Sequence, residues 1–319
     1  MCKLWTAVMF AALAATAAHS YAATAGTEPA EEKLSIHERL AWQIALDRVG
    51  YSPGVIDAKC GGKTEAATRE YQRARGLAVT GILDAPTAAA LDVAPGRALT
   101  TYTIRAADLA ELGPHPRKWA DKAKLDRLAY PSLDELLAEK FHCTRALLAD
   151  LNPGSDIAHL QPGRIINVPA LSDDVPIARG DRVEVNLSEK VIHVLAGGKV
   201  VGMFYCSVAK DKANLPSGPA SVVCISENPT YLFDPEKWPE VKDVHEKLNI
   251  PPGPRNPVGL CWIGLSLPGY GMHGTPTPEM IGKTGSHGCI RLANWDALRL
   301  GKMIRVGTPV SFTQRGKVK

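Results

Sequence analysis

Met272-His273-Gly274-Thr275 and, after a gap containing Gly282, Ser286-His287-Gly288-Cys289-Ile290-Arg291-Leu292 carry the densest set of reactive side chains in this 319-residue chain. An ordinary cysteine, with a pKa of about 8.5, is only a few per cent thiolate at neutral pH, so a nucleophilic role needs a base or a positive neighbour. His273 and His287 both stand near Cys289 in sequence, and the sequence leaves open which one faces the sulfur. Gly288 allows close approach of a substrate and is expected to leave backbone N–H groups for an oxyanion. A zinc site built from His273, His287 and Cys289 is conceivable, but a fourth ligand is not evident, so no metal and no organic cofactor is expected.

The sequence around this cluster is that of a mainly-β domain. Val183, Val185 and Leu187 alternate with Glu184, Asn186 and Ser188, the period of a half-buried strand. Residues 191–195 and 200–208 flank a turn at Gly197-Gly198 and read as a hairpin. Residues 220–225, 261–267 and 310–313 read as further strands, and 295–306 as one helix. Asn294 is expected to cap that helix, with Asp296 in its first turn. Residues 227–259, rich in proline and aromatic side chains, are too long for a passive loop and read as a binding loop or lid. Cys206, Cys224 and Cys261 lie within apolar strands and are expected to be buried.

Upstream, Leu34, Leu40, Ile44 and Val49 recur at near-helical spacing up to Gly50. A second helix is expected from Lys63 to Ala74, stopped by Gly76, and a third opening at Pro86. Residues 102–104 and 164–169 read as strands around helices at 133–141 and 144–151, and 171–178 as a linker. Residues 1–25 have a short positive start, an apolar run below the roughly 20 residues of a membrane span, and small residues at Ser20-Tyr21-Ala22 and Ala23-Thr24-Ala25. That is the pattern of a cleaved secretory signal, and no stable transmembrane segment is expected. Six cysteines would remain after cleavage; their disulfide pairing is open. The formal charge of +4 and the lack of a basic run give no reason to expect nucleic acid.

The pattern His273-Gly274-Thr275 followed by Ser286-His287-Gly288-Cys289-Ile290-Arg291-Leu292-x-Asn294-x-Asp296 resembles the catalytic motif of the L,D-transpeptidases. Pro216-x-Gly218, residues 228–231 and Pro251-Pro252-Gly253-Pro254-Arg255-Asn256-Pro257-x-Gly259 extend the resemblance. Gly54-x-Ile56-Asp57, Gly62-x-Thr64-x-x-Ala67, Tyr71-Gln72-x-x-x-Gly76-Leu77 and Thr80-Gly81-x-Leu83-Asp84 resemble a three-helix peptidoglycan-binding domain, with Ala58 where that family usually has glycine. Leu151-Asn152-Pro153, Leu160-x-Pro162-Gly163 and Val168-Pro169 resemble a LysM module, with a long charged insertion at 106–130.

These resemblances imply a multidomain chain: signal peptide 1–25, three-helix domain 33–95, small α+β LysM-like module 99–171, and a mainly-β, sandwich-like catalytic domain 180–314. They imply that Cys289 attacks the third residue of a tetrapeptide stem and expels D-alanine, with His273 as base oriented by the carbonyl of Gly274. His287 and Gly288 would border the oxyanion site; Arg291 and Ser286 would bind substrate. The implied partners are peptidoglycan stem peptides and glycan, with an envelope lipoprotein as a possible acyl acceptor, in the periplasm or cell envelope. Water as acceptor would make a carboxypeptidase. A non-catalytic wall-binding protein is the further alternative, against which the intact His273 and Cys289 speak. The two N-terminal modules are expected to act as tethers, separable from turnover on small soluble substrates.

Overall fold

The computed structural model describes residues 34–171, 177–238, 240–286 and 288–314. The signal-peptide reading of residues 1–25 lies outside them, as does most of the expected linker.

Three helices open the described chain: α1 (Ile36–Arg48), α2 (Gly62–Arg75) and α3 (Ala85–Leu91). Their ends follow local chemistry. Ser35 and Glu38 close a capping box on α1, Asp84 caps α3, and Gly76 ends α2 with φ +67°. Tyr71, Leu46 and Leu91 are buried between the helices. Ala58 takes φ +57°, a left-handed conformation that disfavours a Cβ, which explains why glycine suits that position.

The middle module pairs β1 (Leu99–Thr103) antiparallel with β2 (Ile165–Pro169). Between them run α4 (Ala106–Ala110), α5 (Trp119–Lys122), α6 (Leu133–Lys140) and α7 (Arg145–Asp150). Leu133, Leu137 and Leu148 pack with Ile166 and Val168 into one core, to which Leu40 and Ile44 of α1 also belong.

The C-terminal domain is built from β3 (Arg182–Asn186), β4 (Val191–Ala196), β5 (Lys199–Tyr205), β6 (Ala220–Glu227), β7 (Tyr231–Phe233), β8 (Leu248–Ile250), β9 (Cys261–Leu265), β10 (Gly271–His273), β11 (Ile290–Arg291), α8 (Asn294–Met303) and β12 (Pro309–Thr313). Eight strands form one sheet in the order β11-β10-β9-β6-β12-β3-β4-β5. Phe204 near one edge and Ile290 at the other lie in the same buried core. The sheet therefore curls over its own interior, and this gives the sandwich-like section. Its edges also meet: Ser207 and Arg291 exchange backbone hydrogen bonds at 2.9 Å in both directions. Closure removes two unpaired edges and places the segment before β11 at the seam.

Residues 227–259 are not a free flap. β7 and β8 form a hairpin whose Phe233 and Ile250 are buried with Leu128 of the middle-module insertion. Trp119 of α5 stacks on Phe233 with ring centroids 4.2 Å apart. The backbone continues the union: Leu128 N–H donates to Pro252 O at 2.8 Å, and Arg255 N–H to Leu128 O at 3.2 Å. The long insertion is thus the cover of this hairpin.

Two local expectations fail, one in a strand and one at a helix cap. Cys206 and Cys261 are buried as expected, but Cys224 is exposed. The β6–β9 register shifts between Val222 and Cys224, and this bulge turns the cysteine out of the core. The cap of α8 is Ala293 without a side-chain bond, whereas Asn294 is buried and points its amide elsewhere. Asp296 does lie in the first turn. No helix among the described residues is long and apolar enough to cross a membrane.

Candidate active site

The strand register builds the site. In β10 and β11, Met272 pairs with Ile290 and His273 with Arg291, and both Met272 and Ile290 are fully buried. Side chains alternate along strands, so His273 and Arg291 share the opposite face, and Cys289, one residue before β11, falls on that face beside Gly271. β9 adds Trp262 opposite His273 and Gly264 opposite Gly271. The Trp262 ring stacks on His273, with centroids 5.7 Å apart and planes inclined by 25°. A Cβ on Gly271 would come within 2.4 Å of that ring, so only glycine fits there. Trp262 is a site residue that the sequence reading missed; it pairs across from His273, and its ring fills the space left open by Gly271.

His273 is 5 % exposed, and its Nδ1 lies 2.7 Å from the carbonyl oxygen of Gly274. A carbonyl only accepts, so Nδ1 carries the proton and Nε2 holds the lone pair. Burial lowers the imidazole pKa to about 4, against the Gly274 hydrogen bond that favours the charged ring; Arg291 lowers it further. The ring is therefore neutral at neutral pH.

The Cys289 thiol donates to Gly269 O at 3.6 Å. Burial raises its pKa, while a hydrogen bond from the Gly271 backbone and the charges of Arg291 and Lys237 favour the thiolate. The resting pair is neutral thiol and neutral imidazole, with cationic groups in place for negative charge on sulfur.

The turn before Cys289 is fixed from within. Ser286 is buried, and its hydroxyl donates to Cys289 O at 2.5 Å and accepts from Gly288 N–H at 3.3 Å. Its expected substrate contact is not what this geometry offers, and Gly288 does not leave its N–H free. Around Gly288 itself there is space: a Cβ there would meet nothing nearer than 3.7 Å. Ser286 also exchanges backbone hydrogen bonds with Val208 and Lys210. His287 lies outside the described residues.

Among the described residues the Arg291 side chain makes one long hydrogen bond, from Nη1 to Gly285 O at 3.5 Å, and no ion pair with a carboxylate. Its charge is felt by both Cys289 and Tyr231. Tyr231, on β7, accepts from Trp238 Nε1 at 3.1 Å, so the hairpin supplies one wall of the site. Together these groups can generate a thiolate, accept its proton and hold an anionic group.

Residues 180–311 match the family model of the L,D-transpeptidase catalytic domain, and residues 38–91 match the "Putative peptidoglycan binding domain". "Putative L,D-transpeptidase YkuD" of Bacillus licheniformis is 30% identical over 181 residues, covering 56% of this chain and 92% of the relative. "Putative L,D-transpeptidase YqjB" of Bacillus subtilis is 35% identical over 144 residues, 43% of this chain and 74% of the relative. "Probable L,D-transpeptidase YbiS" of Escherichia coli is 28% identical over 187 residues, 56% of this chain and 59% of the relative. The chain belongs to the L,D-transpeptidase family.

Proposed function

We propose that the chain is a cysteine acyltransferase that cross-links peptidoglycan in the periplasm or cell envelope. The observation that carries this reading is the tautomer of His273: Nδ1–H is tied to Gly274 O, which leaves Nε2 basic on the sheet face that holds Cys289. As the Cys289 sulfur attacks the carbonyl of the third stem residue, Nε2 takes the thiol proton and the S–C bond forms. The oxyanion collapses, the bond to D-alanine breaks, and the imidazolium returns the proton to the leaving amine. An amine of a second stem peptide then resolves the thioester. Arg291 holds a substrate carboxylate, since among the described residues its guanidinium donates only to Gly285 O. Ser286 and Gly288 shape the turn; His287 is assigned to the oxyanion border on the motif alone.

Water or a lipoprotein lysine could resolve the same thioester. The two N-terminal modules, one matching a peptidoglycan-binding family, hold the enzyme on its polymer. Mass analysis of the products from a purified disaccharide tetrapeptide tests the acceptor. A cross-linked dimer with released D-alanine is expected; tripeptide alone would replace transpeptidation by carboxypeptidation.

A further inference from the structure

His273 is held by contacts that end outside the catalytic domain. The carbonyl that fixes its tautomer belongs to Gly274, and Gly274 is wedged against Asn294: a Cβ on Gly274 would lie 2.2 Å from Asn294 Oδ1, and one on Gly259 2.0 Å. Asn294 is 1 % exposed, and every polar atom of its amide is engaged. Oδ1 accepts from Leu260 N–H at 3.1 Å, and Nδ2 donates to Pro254 O at 3.3 Å and to both carboxylate oxygens of Glu139 at 3.0 and 3.1 Å. Glu139, on α6 of the middle module, also accepts from the Tyr130 hydroxyl at 2.8 Å. The same helix grips the histidine loop at a second point, because Arg255 donates from Nη1 both to Glu135 and to Pro276 O, each at 3.0 Å.

We propose that Glu139 is a positioning residue for His273, acting across the module boundary through Asn294 and Gly274. This rests on the reading of His273 as base and Cys289 as nucleophile. An amide nitrogen only donates, so Asn294 needs an acceptor in this buried place. Glu139 provides it and Pro254 O alone is the poorer, longer substitute. A glutamine at 139 can turn its oxygen to Asn294 and donate its NH2 to the Tyr130 oxygen, which keeps the link. Alanine abolishes the link, and aspartate is one methylene too short to span it. Burial raises the Glu139 pKa to about 7, against the donors Tyr130 and Asn294, so the link is made by a group under strain from desolvation.

The test uses the full chain and a carbapenem as acylating probe, with intact mass followed over time at several probe concentrations. Glu139→Ala and Glu139→Asp should lower the saturating rate of Cys289 acylation at least about tenfold, since small misplacements of a reacting group cost up to ~10²-fold. The half-saturating concentration and far-ultraviolet circular dichroism should stay unchanged. The His273 Nδ1–H resonance should broaden, and Glu139→Gln should recover both rate and resonance. Acylation of both Ala and Asp variants at the wild-type rate, or a loss that Gln fails to recover while the Nδ1–H resonance is intact, would overturn the proposal. Wild type left unlabelled at Cys289 would overturn the reading beneath it as well, which distinguishes the two failures.

Discussion

At the scale of single residues, the site holds a neutral imidazole and a neutral thiol on one sheet face, and in the proposed reaction the two become charged only together. A histidine with a pKa near 6.5 would be half protonated in mildly acidic surroundings and useless as a base. Burial against Trp262 and β9 prevents this, and the Gly274 carbonyl selects the tautomer. The Hε1 resonance of His273 should therefore stay at its neutral position down to about pH 5; titration near pH 6.5 would contradict it. The same shift bears on stability. The folded pKa, about 4, lies below the unfolded value, so the contribution is fully present above about pH 6.5 and falls away as the pH drops toward 4, by roughly 3 kcal/mol. His273→Ala should reduce acylation about 10²–10⁴-fold, measured in single turnovers. Arg291→Gln should raise the Cys289 pKa further, seen as an alkaline shift in the pH dependence of thiol alkylation; an unshifted profile would remove Arg291 from the electrostatics of the sulfur.

At the scale of elements, the hairpin β7–β8 and the insertion that covers it form one unit. Trp119 to Ala should free the hairpin that carries Tyr231 and raise KM for stem peptide several-fold, because a stacked aromatic pair is worth about 0.5–1.5 kcal/mol beyond its burial. Equal KM in wild type and variant would show that the hairpin stands without its cover. The strands and helices themselves were legible because their signals are local: the alternation of Val183, Val185 and Leu187, Asp84 before Pro86, Gly76 after α2. The His273–Gly274 and Cys289 cluster was legible for the same reason. Cys224 and Asn294 were misread because a bulge and a buried cross-module partner decided them, and neither leaves a periodic trace. Glu139, on the helix expected at 133–141, leaves no local signal either, because its partner Asn294 is distant in the chain.

At the scale of the whole molecule, the three modules are joined by backbone pairing. Tyr51 bridges to Met203 and Ile56 to Cys143, and Lys63 of α2 donates to Ile281 O at 2.9 Å, inside the loop between His273 and Cys289. The expectation of tethers separable from turnover therefore meets a structure in which both modules brace the active-site loop. At their common junction Asp47 bonds His142 at 3.1 Å and the backbone oxygen of Asp47 accepts from Arg299, while Asp296 accepts from Ser52 at 3.0 Å. Burial raises Asp296 to about 7, with the Asp47 charge adding to it; Asp47 itself is lowered because His142 and Arg299 outweigh its burial. A raised carboxyl contributes stability fully below its unfolded value and loses it as pH rises through 7. Asp296→Asn should therefore raise the melting temperature at pH 8 but not at pH 5, and equal melting at both would contradict the assignment. Full-length Cys289→Ala protein should co-sediment with purified sacculi, beyond a similarly charged control; recovery in the supernatant at low and moderate salt would leave the modules as braces only. The claim on which all else depends is that Cys289 forms the acyl bond. Peptide mapping after incubation with a carbapenem measures this most directly. The expected result is one adduct, on Cys289, absent from Cys289→Ala and accompanied there by loss of D-alanine release; an adduct on Cys224 or Cys261, or D-alanine released by the Ala variant, would contradict it.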